Sequence, residues 1–283
     1  MRRAVLVVLA LLATPAAPAV PAGTAPRRIV SINPCVDAIL MHVADAGQIA
    51  GISHYSKLAR SSSITPVQAA RFTATAGTAE EVVALAPDLV IAGAHVDPAT
   101  IAALKRLRID LLQLGVADTV VQSQAQIADV AAAAGHPARG AALNARIDAA
   151  LAAARPAGTP VPALIWQGGG LVPGGGTLAD ELLRRTGFRN LSADYGLKKW
   201  DVLPLEYLVA RPPRVLFSVG DATGADRMLS HPVLRPLAGH VAISPYPERF
   251  LRCGGPTIIA AVAQLAAARQ AVGTRARKAR QKL

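Results

Sequence analysis

The sequence is poor in the residues from which catalytic and metal sites are usually built. Its 283 residues include two cysteines and six histidines, and aromatic residues make up 4%. The histidines lack the HExxH spacing of zinc hydrolases, and the GxSxG elbow of serine hydrolases is absent. The glycine-rich run GGGLVPGGGT, residues 168–177, is not followed by the Gly-Lys-Ser or Gly-Lys-Thr of a phosphate-binding loop. These absences argue against a zinc hydrolase, a serine hydrolase and a nucleotide-binding enzyme.

Long apolar runs are also scarce, and the clearest one lies at the start of the chain. Arg2 and Arg3 precede a short apolar run, which is followed by small residues and prolines. This arrangement is typical of a secretory signal peptide, here residues 1–22, with cleavage near Ala19 or Ala22. The run is too short for a comfortable membrane span. The pattern therefore predicts a mature protein that is exported to the periplasm.

The positive charge of the chain is concentrated at its end. Lysine and arginine number 30 against 18 acidic residues, which gives a formal net charge of +12. The tail, residues 274–283, has five of these basic residues and no acid. Such a tail is able to bind nucleic acid, yet the chain has few aromatic residues and no recognition motif. We therefore predict no nucleic-acid partner and interpret the tail as a solvated, frayed end.

The chain contains an internal repeat. Residues 79–93 read AEEVVALAPDLVIAG and residues 205–219 read LEYLVARPPRVLFSV, so that Glu80 aligns with Glu206 without a gap. Each copy predicts a short amphipathic helix that opens on a glutamate, ends at a proline and leads into a continuous apolar run. Runs without polar alternation are typical of strands covered on both faces, as in parallel sheets. The repeat therefore predicts two similar α/β lobes.

Further apolar runs complete both lobes. In the first lobe, residues 27–33, 49–53 and 109–114 predict strands with helical patterns between them. In the second lobe, residues 162–168 and 241–245 predict the corresponding strands. Strands that alternate with helices form a parallel sheet, because the crossover between parallel strands is right-handed.

A helical stretch midway between the two repeat copies divides the chain. The sequence Gly135-His136-Pro137 breaks residues 119–155 into two helices. The second helix has apolar residues at helical spacing, and we predict that it joins the lobes as a single strut. The predicted parts are the first lobe at 27–136, the connecting helix at 137–156, the second lobe at 160–273 and the basic tail.

These segments, in this order, resemble one protein family. The segments are the run RRIVSINPCVDAIL, the strands IAGIS and APDLVIAG, the midway helix, and a second lobe that ends in HPVLRPLAG and an apolar helix. Together they are similar to the substrate-binding proteins of ABC importers for vitamin B12, ferric siderophores and haem. The resemblance implies an α/β fold of two lobes, each with a central mostly parallel sheet, joined by a long rigid helix. It also implies a metal chelate held between the lobes, without catalysis and without a cofactor of the protein's own. The chelate is a cobalamin-like corrinoid, a ferric siderophore or haem.

The same resemblance implies partners for the two lobes. A monomeric binding protein of this kind delivers its ligand to an inner-membrane permease and the ATPase subunit of that permease. In this family a glutamate at the tip of each lobe pairs with arginines of the permease, and the matching positions here are Glu80 and Glu206. Glu81 is a neighbour that could take the same role. A first-turn glutamate also stabilises its own helix, so docking and helix stability are both open interpretations.

Six residues are candidates for the ligand site. They follow predicted strands, at the edge where open α/β sheets bind ligands, or they are scarce aromatics. They are His54, Tyr55, Trp166, Trp200, Tyr246 and Arg252. A histidine or tyrosine could bind a chelated metal axially, a tryptophan could stack on a flat macrocycle, and an arginine would suit an anionic ligand group. For Trp166, a place in the core is the alternative interpretation.

Cys35 and Cys253 depart from the family pattern. Cys35 lies in the first turn of the first-lobe helix, and Cys253 shortly precedes the last helix. Exported proteins with two cysteines usually pair them, so the first interpretation is a disulfide across the cleft. The second is a pair of thiols that contact the ligand or bind a soft metal, and the third is two buried bystanders. The second interpretation corresponds to an alternative function, an exported metal-binding or redox protein that uses these two residues.

Overall fold

Two α/β lobes make up the part of the chain that the structure describes. This computed structural model describes residues 25–156, 158–219, 232 and 240–280. The predicted signal peptide lies outside the described residues, as does the segment HPVLRPLAG apart from Pro232. The predicted fold class, two lobes with parallel sheets, is confirmed. The predicted domain boundaries stay a prediction.

The first lobe is built around a five-stranded parallel sheet. Its elements, in chain order, are β1 (Ile29–Ser31), α1 (Pro34–Val43), β2 (Ile49–Ser53), α2 (Pro66–Ala70), β3 (Ala74–Thr75), α3 (Ala79–Ala84), β4 (Leu89–Gly93), α4 (Pro98–Arg106), β5 (Asp110–Leu114) and α5 (Val120–Ala133). The strand order is β3-β2-β1-β4-β5, and every neighbouring pair is parallel. The central strands β1 and β4 are buried along their whole length, which explains their uninterrupted apolar sequences.

The second lobe follows the connecting helix and repeats this plan with a smaller sheet. The elements are α6 (Pro137–Ala153), β6 (Val161–Trp166), β7 (Leu171–Pro173), α7 (Leu178–Arg185), β8 (Phe188–Asn190), α8 (Leu191–Asp194), β9 (Trp200–Val202), α9 (Leu205–Ala210), β10 (Val215–Val219), β11 (Ala242–Tyr246), α10 (Arg249–Arg252) and α11 (Thr257–Arg280). The main sheet has the parallel order β11-β10-β6-β8. Strands β7 and β9 form a separate antiparallel pair that we did not predict.

The internal repeat corresponds to the same elements in both lobes. Helices α3 and α9 occupy equivalent positions of the repeat, and strands β4 and β10 do the same. In the first sheet, β4 lies between β1, the first strand of the lobe, and β5. In the second sheet, β10 lies in the same way between β6, the first strand of that lobe, and β11. The two lobes therefore share a topology as well as a sequence pattern.

Helix α1 places Cys35 at the carboxyl edge of the first sheet. The side chain of Asn33 accepts a hydrogen bond from the Cys35 backbone N–H at 2.8 Å, and Pro34 occupies the first helical position. Such a capped start satisfies one of the free donors of the first turn. The opposite end of the helix is anchored by Leu40 and Val43, which are fully buried. Cys35 is thus held on a rigid element where the first strand ends.

Helix α6 contacts both lobes, as a connecting strut should. It packs against α1 and α5 of the first lobe and against α11 of the second. Its buried side chains include Leu143 and Ile147, and they belong to one apolar cluster that contains core residues of both lobes. Because removing a lobe from this cluster would expose apolar surface to water, the lobes are held close by packing as well as by the chain itself.

The last helix extends into the basic tail. Helix α11 runs to Arg280, so the interpretation of the tail as a frayed end is wrong for residues 274–280. Alanine, arginine and lysine make up six of these seven residues, and all three are favourable helix residues. Val272, in the last third of the helix, packs against the described core. None of the helices in the described ranges, α11 included, is long and apolar enough to cross a membrane.

A buried carboxylate lies beneath α1. Asp37 is fully buried, and its Oδ2 accepts hydrogen bonds from the Ser53 backbone N–H at 3.0 Å and from the Ser56 hydroxyl at 2.6 Å. Its Oδ1 has no hydrogen-bond partner among the described residues. Burial raises the pKa of Asp37 to about 7, although the hydrogen bonds from Ser53 and Ser56 oppose the shift.

We predict that Asp37 makes the protein less stable as the pH rises. Its pKa is higher in the folded state than in the unfolded state, so the folded protein keeps a proton that the unfolded chain loses. The stability that Asp37 contributes is fully present below about pH 4 and is lost as the pH approaches 7. The free energy of unfolding falls at a rate of at most about 1.4 kcal/mol per pH unit in this range. Asp37→Asn should remove this slope, because an amide can accept the same hydrogen bonds and does not titrate.

The measurement is the free energy of urea unfolding between pH 4 and pH 8. The exposed carboxylate of Asp129 provides a matched control, and Asp129→Asn should leave the wild-type profile in place. A profile of Asp37→Asn that parallels the wild type would contradict the assignment.

Candidate functional site

The carboxyl ends of the first-lobe strands face the second lobe across a cavity of about 270 Å³. We call it the cysteine cavity. Its lining includes Asn33, Cys35, His95, Val116, Gln126 and the segment Arg252 to Gly254. Asn33, Cys35, His95 and Val116 follow the strands β1, β4 and β5. The segment from Arg252 to Gly254 lies at the end of α10 and before α11. Ligands of open α/β sheets bind at this edge, so the cavity has the expected position for a ligand site.

A second cavity, of about 130 Å³, adjoins the first. We call it the tryptophan cavity, because the Trp200 side chain lines it and remains 42% exposed. The start of α7 and the segment from Phe250 to Gly254 form its second-lobe wall. Val116 and Arg252 line both cavities. The two cavities are therefore parts of one cleft between the lobes.

The predicted disulfide is present, and it crosses this cleft. Cys35 of the first lobe and Cys253 of the second are bonded, with their Cα atoms 5.2 Å apart. Both residues line the cysteine cavity. Within the bond neither sulfur is a thiolate, so the structure does not support the alternative in which these residues bind a soft metal. Among the described residues, no cluster of histidines, cysteines and carboxylates could hold a metal ion.

Polar contacts also join the lobes beside the cavities. The carboxylate of Glu181 accepts a hydrogen bond from the Val120 backbone N–H at 2.8 Å, at the start of α5. The Ser123 hydroxyl accepts a hydrogen bond from the Gly255 backbone N–H. The Lys199 ammonium forms an ion pair with the Asp118 carboxylate. The first turns of α5 are thus held by the second lobe, which the sequence did not reveal.

Arg252 is the cationic group of the cleft that we predicted. The Arg252 side chain is 47% exposed and forms an ion pair with Glu248, which lies four residues earlier in the chain. The polar residues of the cavities that were missed include His95, Asp118 and Gln126. His95 and Asp118 follow β4 and β5, so the rule of strand carboxyl ends could have found them. Gln126 lies within α5 and has no such signal.

His54 and Tyr55 do not line either cavity. They begin a short 3-10 helix after β2, and their rings lie 4.0 Å apart. The Nδ1 atom of His54 is 3.3 Å from the Thr75 carbonyl oxygen, while Tyr55 is 48% exposed. The structure places both at the carboxyl edge of the first sheet, toward its β3 side. Their role in ligand binding stays a prediction.

The predictions for Trp166 and Tyr246 are wrong. Trp166 is 0% exposed and packs with Leu164, Val172 and other residues of the second-lobe core. Tyr246 is 2% exposed, and its ring forms edge contacts with Phe217 and Phe250. Burial raises the pKa of the Tyr246 hydroxyl. Both residues end their strands but lie inside the lobe, so neither can offer a surface to a ligand in the described cleft.

Glu80 and Glu206 occupy equivalent, exposed positions in the first turns of α3 and α9. No hydrogen bond or ion pair holds either carboxylate within the described part of the chain. The carboxylate of Glu81 is different, because it accepts hydrogen bonds from the Thr75 hydroxyl at 3.0 Å and from the Ala76 backbone N–H. Glu81 is therefore used within its own lobe, and Glu80 is the glutamate available to a partner.

Solved structures with the same fold bind haem or vitamin B12, according to their descriptions. The periplasmic haem-binding protein RhuT from Roseiflexus sp. RS-1 is 24% identical, with a TM-score of 0.72, and the match covers 87% of this chain and 98% of RhuT. The haem-binding protein HutB of Vibrio cholerae is 18% identical, with a TM-score of 0.71 and coverage of 85% and 97%. The vitamin B12 binding protein BtuF of Vibrio cholerae is 17% identical, with a TM-score of 0.67 and coverage of 88% and 98%. At these identities the likeness establishes the fold.

The family follows from a direct sequence match. The model of the periplasmic binding protein family matches residues 29–238, which is most of the chain and includes both copies of the internal repeat. No curated protein matches the chain. Members of the family are substrate-binding transport proteins and not enzymes, in agreement with the absence of catalytic motifs from the sequence. The chain therefore belongs to the periplasmic binding protein family.

Proposed function

We propose that this protein is the periplasmic substrate-binding component of an ABC import system and that it captures a metal chelate between its two lobes. The observation on which this rests is the cleft between the carboxyl edge of the first-lobe sheet and the second-lobe wall formed by the start of α7, Trp200 and the segment from Phe250 to Gly254. The protein reaches the periplasm through cleavage of the signal peptide near Ala19 or Ala22. It acts there as a monomer and delivers the ligand to an inner-membrane permease and its ATPase subunit.

The chemistry of the cleft supports a chelate with a flat, anionic organic part. Trp200 offers a half-exposed aromatic face, and Arg252 offers a guanidinium for a carboxylate or other anionic group. His95 and Asn33 add polar side chains at the opposite wall. The relatives of known structure bind haem or vitamin B12, so haem and cobalamin-like corrinoids are the first ligands to test, and ferric siderophores follow.

The alternative function, an exported metal-binding or redox protein, has less support. It requires Cys35 and Cys253 to act as thiols, whereas the two sulfurs are bonded to each other across the cleft. A disulfide in this position serves a two-lobed binding protein directly, because it fixes one side of the ligand site.

The experiment that tests the proposed function is a binding titration of the mature, oxidised protein. Haemin, cyanocobalamin and ferrichrome are titrated separately, and tryptophan fluorescence is followed together with the absorption spectrum of the ligand. We expect saturable binding of one of the three with micromolar or tighter affinity. The absorption spectrum and metal content of protein purified from its own periplasm provide an independent check. Absence of binding to all three, together with a metal-free native sample, would overturn the proposal.

We predict that Trp200→Ala weakens binding of a macrocyclic ligand by about 1–3 kcal/mol, because stacking and apolar burial are lost. The exposure of the side chain means that the fold should tolerate this change. Tyr207 provides a matched control, since it is an aromatic residue of similar exposure, 45%, that lines neither cavity. Tyr207→Ala should bind the ligand as the wild type does. Equal affinities for the two variants would remove Trp200 from the site.

A further inference from the structure

A groove of about 430 Å³ lies on the second lobe, outside the cleft. We call it the basic groove. Its walls are the ends of α6 and α7 and the stretch of α11 from Ala266 to Gly273. It shares no lining residue with the cysteine cavity or the tryptophan cavity. Its volume falls in the range of about 300–1,000 Å³ in which proteins hold small organic molecules, so it has room for more than a bare inorganic ion.

Two arginines make the basic groove cationic. Arg155 follows the end of α6 and is exposed, and its guanidinium has no hydrogen-bond or ion-pair partner among the described residues. Arg269 of α11 donates hydrogen bonds to the Gly187 carbonyl oxygen at 3.2 Å and to the Thr159 carbonyl oxygen at 3.0 Å, which hold its guanidinium at the groove. None of the described residues that line the groove is acidic. The groove therefore offers positive charge to an anionic group without a competing carboxylate.

The basic part of α11 begins where the groove ends. Gly273 lines the groove, and α11 continues from it to Arg280. This continuation carries four basic residues and no acid, and we call the four the helix cations: Arg275, Arg277, Lys278 and Arg280. Two separate features, a groove with two arginines and a charged stretch of helix, therefore place positive charge at the same end of the second lobe.

This end of the lobe is remote from the cleft. Helix α7 begins with Leu178 at the tryptophan cavity, and Thr186, which follows its last residue, lines the basic groove. Helix α11 begins at Thr257, shortly after the cleft residue Gly254, and Gly273 lies roughly 24 Å further along the helix at 1.5 Å per residue. A partner bound at the groove therefore leaves the cleft open to its ligand.

We propose that the basic groove and the helix cations bind the anionic surface of a phospholipid membrane, with a phosphate-bearing headgroup in the groove beside Arg155 and Arg269. Each lysine or arginine near an anionic membrane surface strengthens binding about fivefold, so the four helix cations together multiply the affinity several hundredfold. Attachment of this kind keeps the protein at the membrane whether or not the cleft holds a ligand, which goes beyond the proposed import function.

The lining of the groove favours a lipid headgroup over a nucleic acid. None of the described lining residues is aromatic, so the groove lacks the stacking platform on which single-stranded nucleic acids bind. Alanines, a proline and a glycine form most of its surface, and they suit the uncharged glycerol part of a headgroup beside its phosphate.

Co-sedimentation with lipid vesicles tests the inference. The mature, oxidised protein is mixed with vesicles that contain phosphatidylglycerol, which is anionic, and with vesicles of phosphatidylcholine alone, which are neutral. We expect sedimentation with the anionic vesicles only and release by high salt, because salt screens the surface charge. Sedimentation with both kinds of vesicle to the same extent, or with neither, would overturn the inference.

Two variants separate the helix from the groove. Replacement of all four helix cations by glutamine should weaken binding to the anionic vesicles roughly a hundredfold or more, and Arg155→Gln should weaken it roughly fivefold. Arg155 is exposed and without a partner in the described structure, so the fold should tolerate its replacement. Unchanged binding of Arg155→Gln would contradict the role of the groove, and with it the proposal.

A matched control tests whether net charge alone is responsible. Glutamine at Arg60, Arg71, Lys105 and Arg106 removes the same charge from exposed positions of the first lobe. This control should bind the anionic vesicles as the wild type does, and an equal loss of binding would show that no particular surface is used.

Competition experiments distinguish a membrane from other anions. Inorganic phosphate and glycerol 3-phosphate, added at constant ionic strength, should displace the protein only weakly, and full displacement at millimolar concentration would assign the groove to a free anion. Binding to duplex DNA without binding to the vesicles would also overturn the inference. Circular dichroism should show that every variant is folded. Haemin, cyanocobalamin and ferrichrome titrations should be the same for all variants, and a wild type that binds none of the three would count against the import function and not against membrane attachment.

Discussion

Reversal of the two exposed first-turn glutamates, Glu80→Arg with Glu206→Arg, is expected to abolish uptake while the affinity for the ligand remains unchanged. The two carboxylates are exposed, lie at equivalent positions and have no partner in the described structure. At the proposed permease interface an arginine would face the cationic side chains that the family resemblance implies, and like charges across an interface cost several kcal/mol. Since each 1.4 kcal/mol changes an equilibrium constant about tenfold, two such contacts are enough to prevent docking. Neither glutamate lines the described cavities, so the cleft should be unaffected.

The measurement pairs ligand-dependent uptake into spheroplasts with ligand titration of the isolated variants. Asp110→Arg with Asp129→Arg is the matched control, because it changes the net charge by the same amount at two exposed acids outside α3 and α9. This control should support uptake at the wild-type rate. Loss of ligand binding in the glutamate variant would show that these residues serve the cleft or the fold, and normal uptake would show that they do not dock.

The internal repeat made most of the architecture predictable. Helix, proline and strand follow one another in both copies, and the structure places α3 with β4 and α9 with β10 at matching positions. Local signals were sufficient here, because a first-turn glutamate, a proline and an uninterrupted apolar run each act within a few residues. The same applies to Asn33, whose side chain caps α1 as expected from its place before Pro34.

The sequence did not show to which side of a strand the last residue of that strand points. Trp166 and Tyr246 are the last residues of β6 and β11, and we interpreted strand ends as cleft positions. Strand β6 is largely buried and lacks the alternation of polar and apolar residues that would show direction. In the edge strand β11 the exposed positions are the apolar residues Ile243 and Pro245, so its sequence does not mark the buried side. Both side chains are covered by the core of the lobe. Trp200 lies in the β7–β9 pair, which the glycine-rich sequence did not reveal, and yet it is the one predicted aromatic residue that lines the described cavities.

Contacts between the lobes were the least accessible part of the site. The ion pair of Asp118 with Lys199 and the hydrogen bond of Ser123 with Gly255 join residues far apart in the chain. Single polar residues have no periodic pattern, so no local signal marks these pairs. Cys35 and Cys253 were the exception, because a chain with two cysteines allows one internal pairing only.

Removal of that pairing, by Cys35→Ser with Cys253→Ser, is expected to lower the free energy of unfolding by about 2–4 kcal/mol, the typical contribution of a disulfide. The bond closes a loop with a sequence separation of 218 residues, for which simple chain entropy would give about 5 kcal/mol. The lower value is expected because the apolar cluster shared by both lobes, and the contacts of α5 with the second lobe, already restrict their separation. The corresponding fall in Tm is roughly 5–15 °C for a chain of this size.

Two measurements test whether the disulfide is present and how much it stabilises the protein. In denatured, unreduced protein from the periplasm, thiol titration should detect no reactive thiol, and after reduction it should detect two. Thermal unfolding with and without reductant should then show a shift for the wild type and none for the double serine variant, which controls for other effects of the reductant. Because Cys35 and Cys253 border the cysteine cavity, reduction should also speed dissociation of the bound ligand by freeing that side of the cleft. Two reactive thiols in unreduced protein would contradict the bridge, and an unchanged Tm on reduction would show that packing alone holds the lobes together.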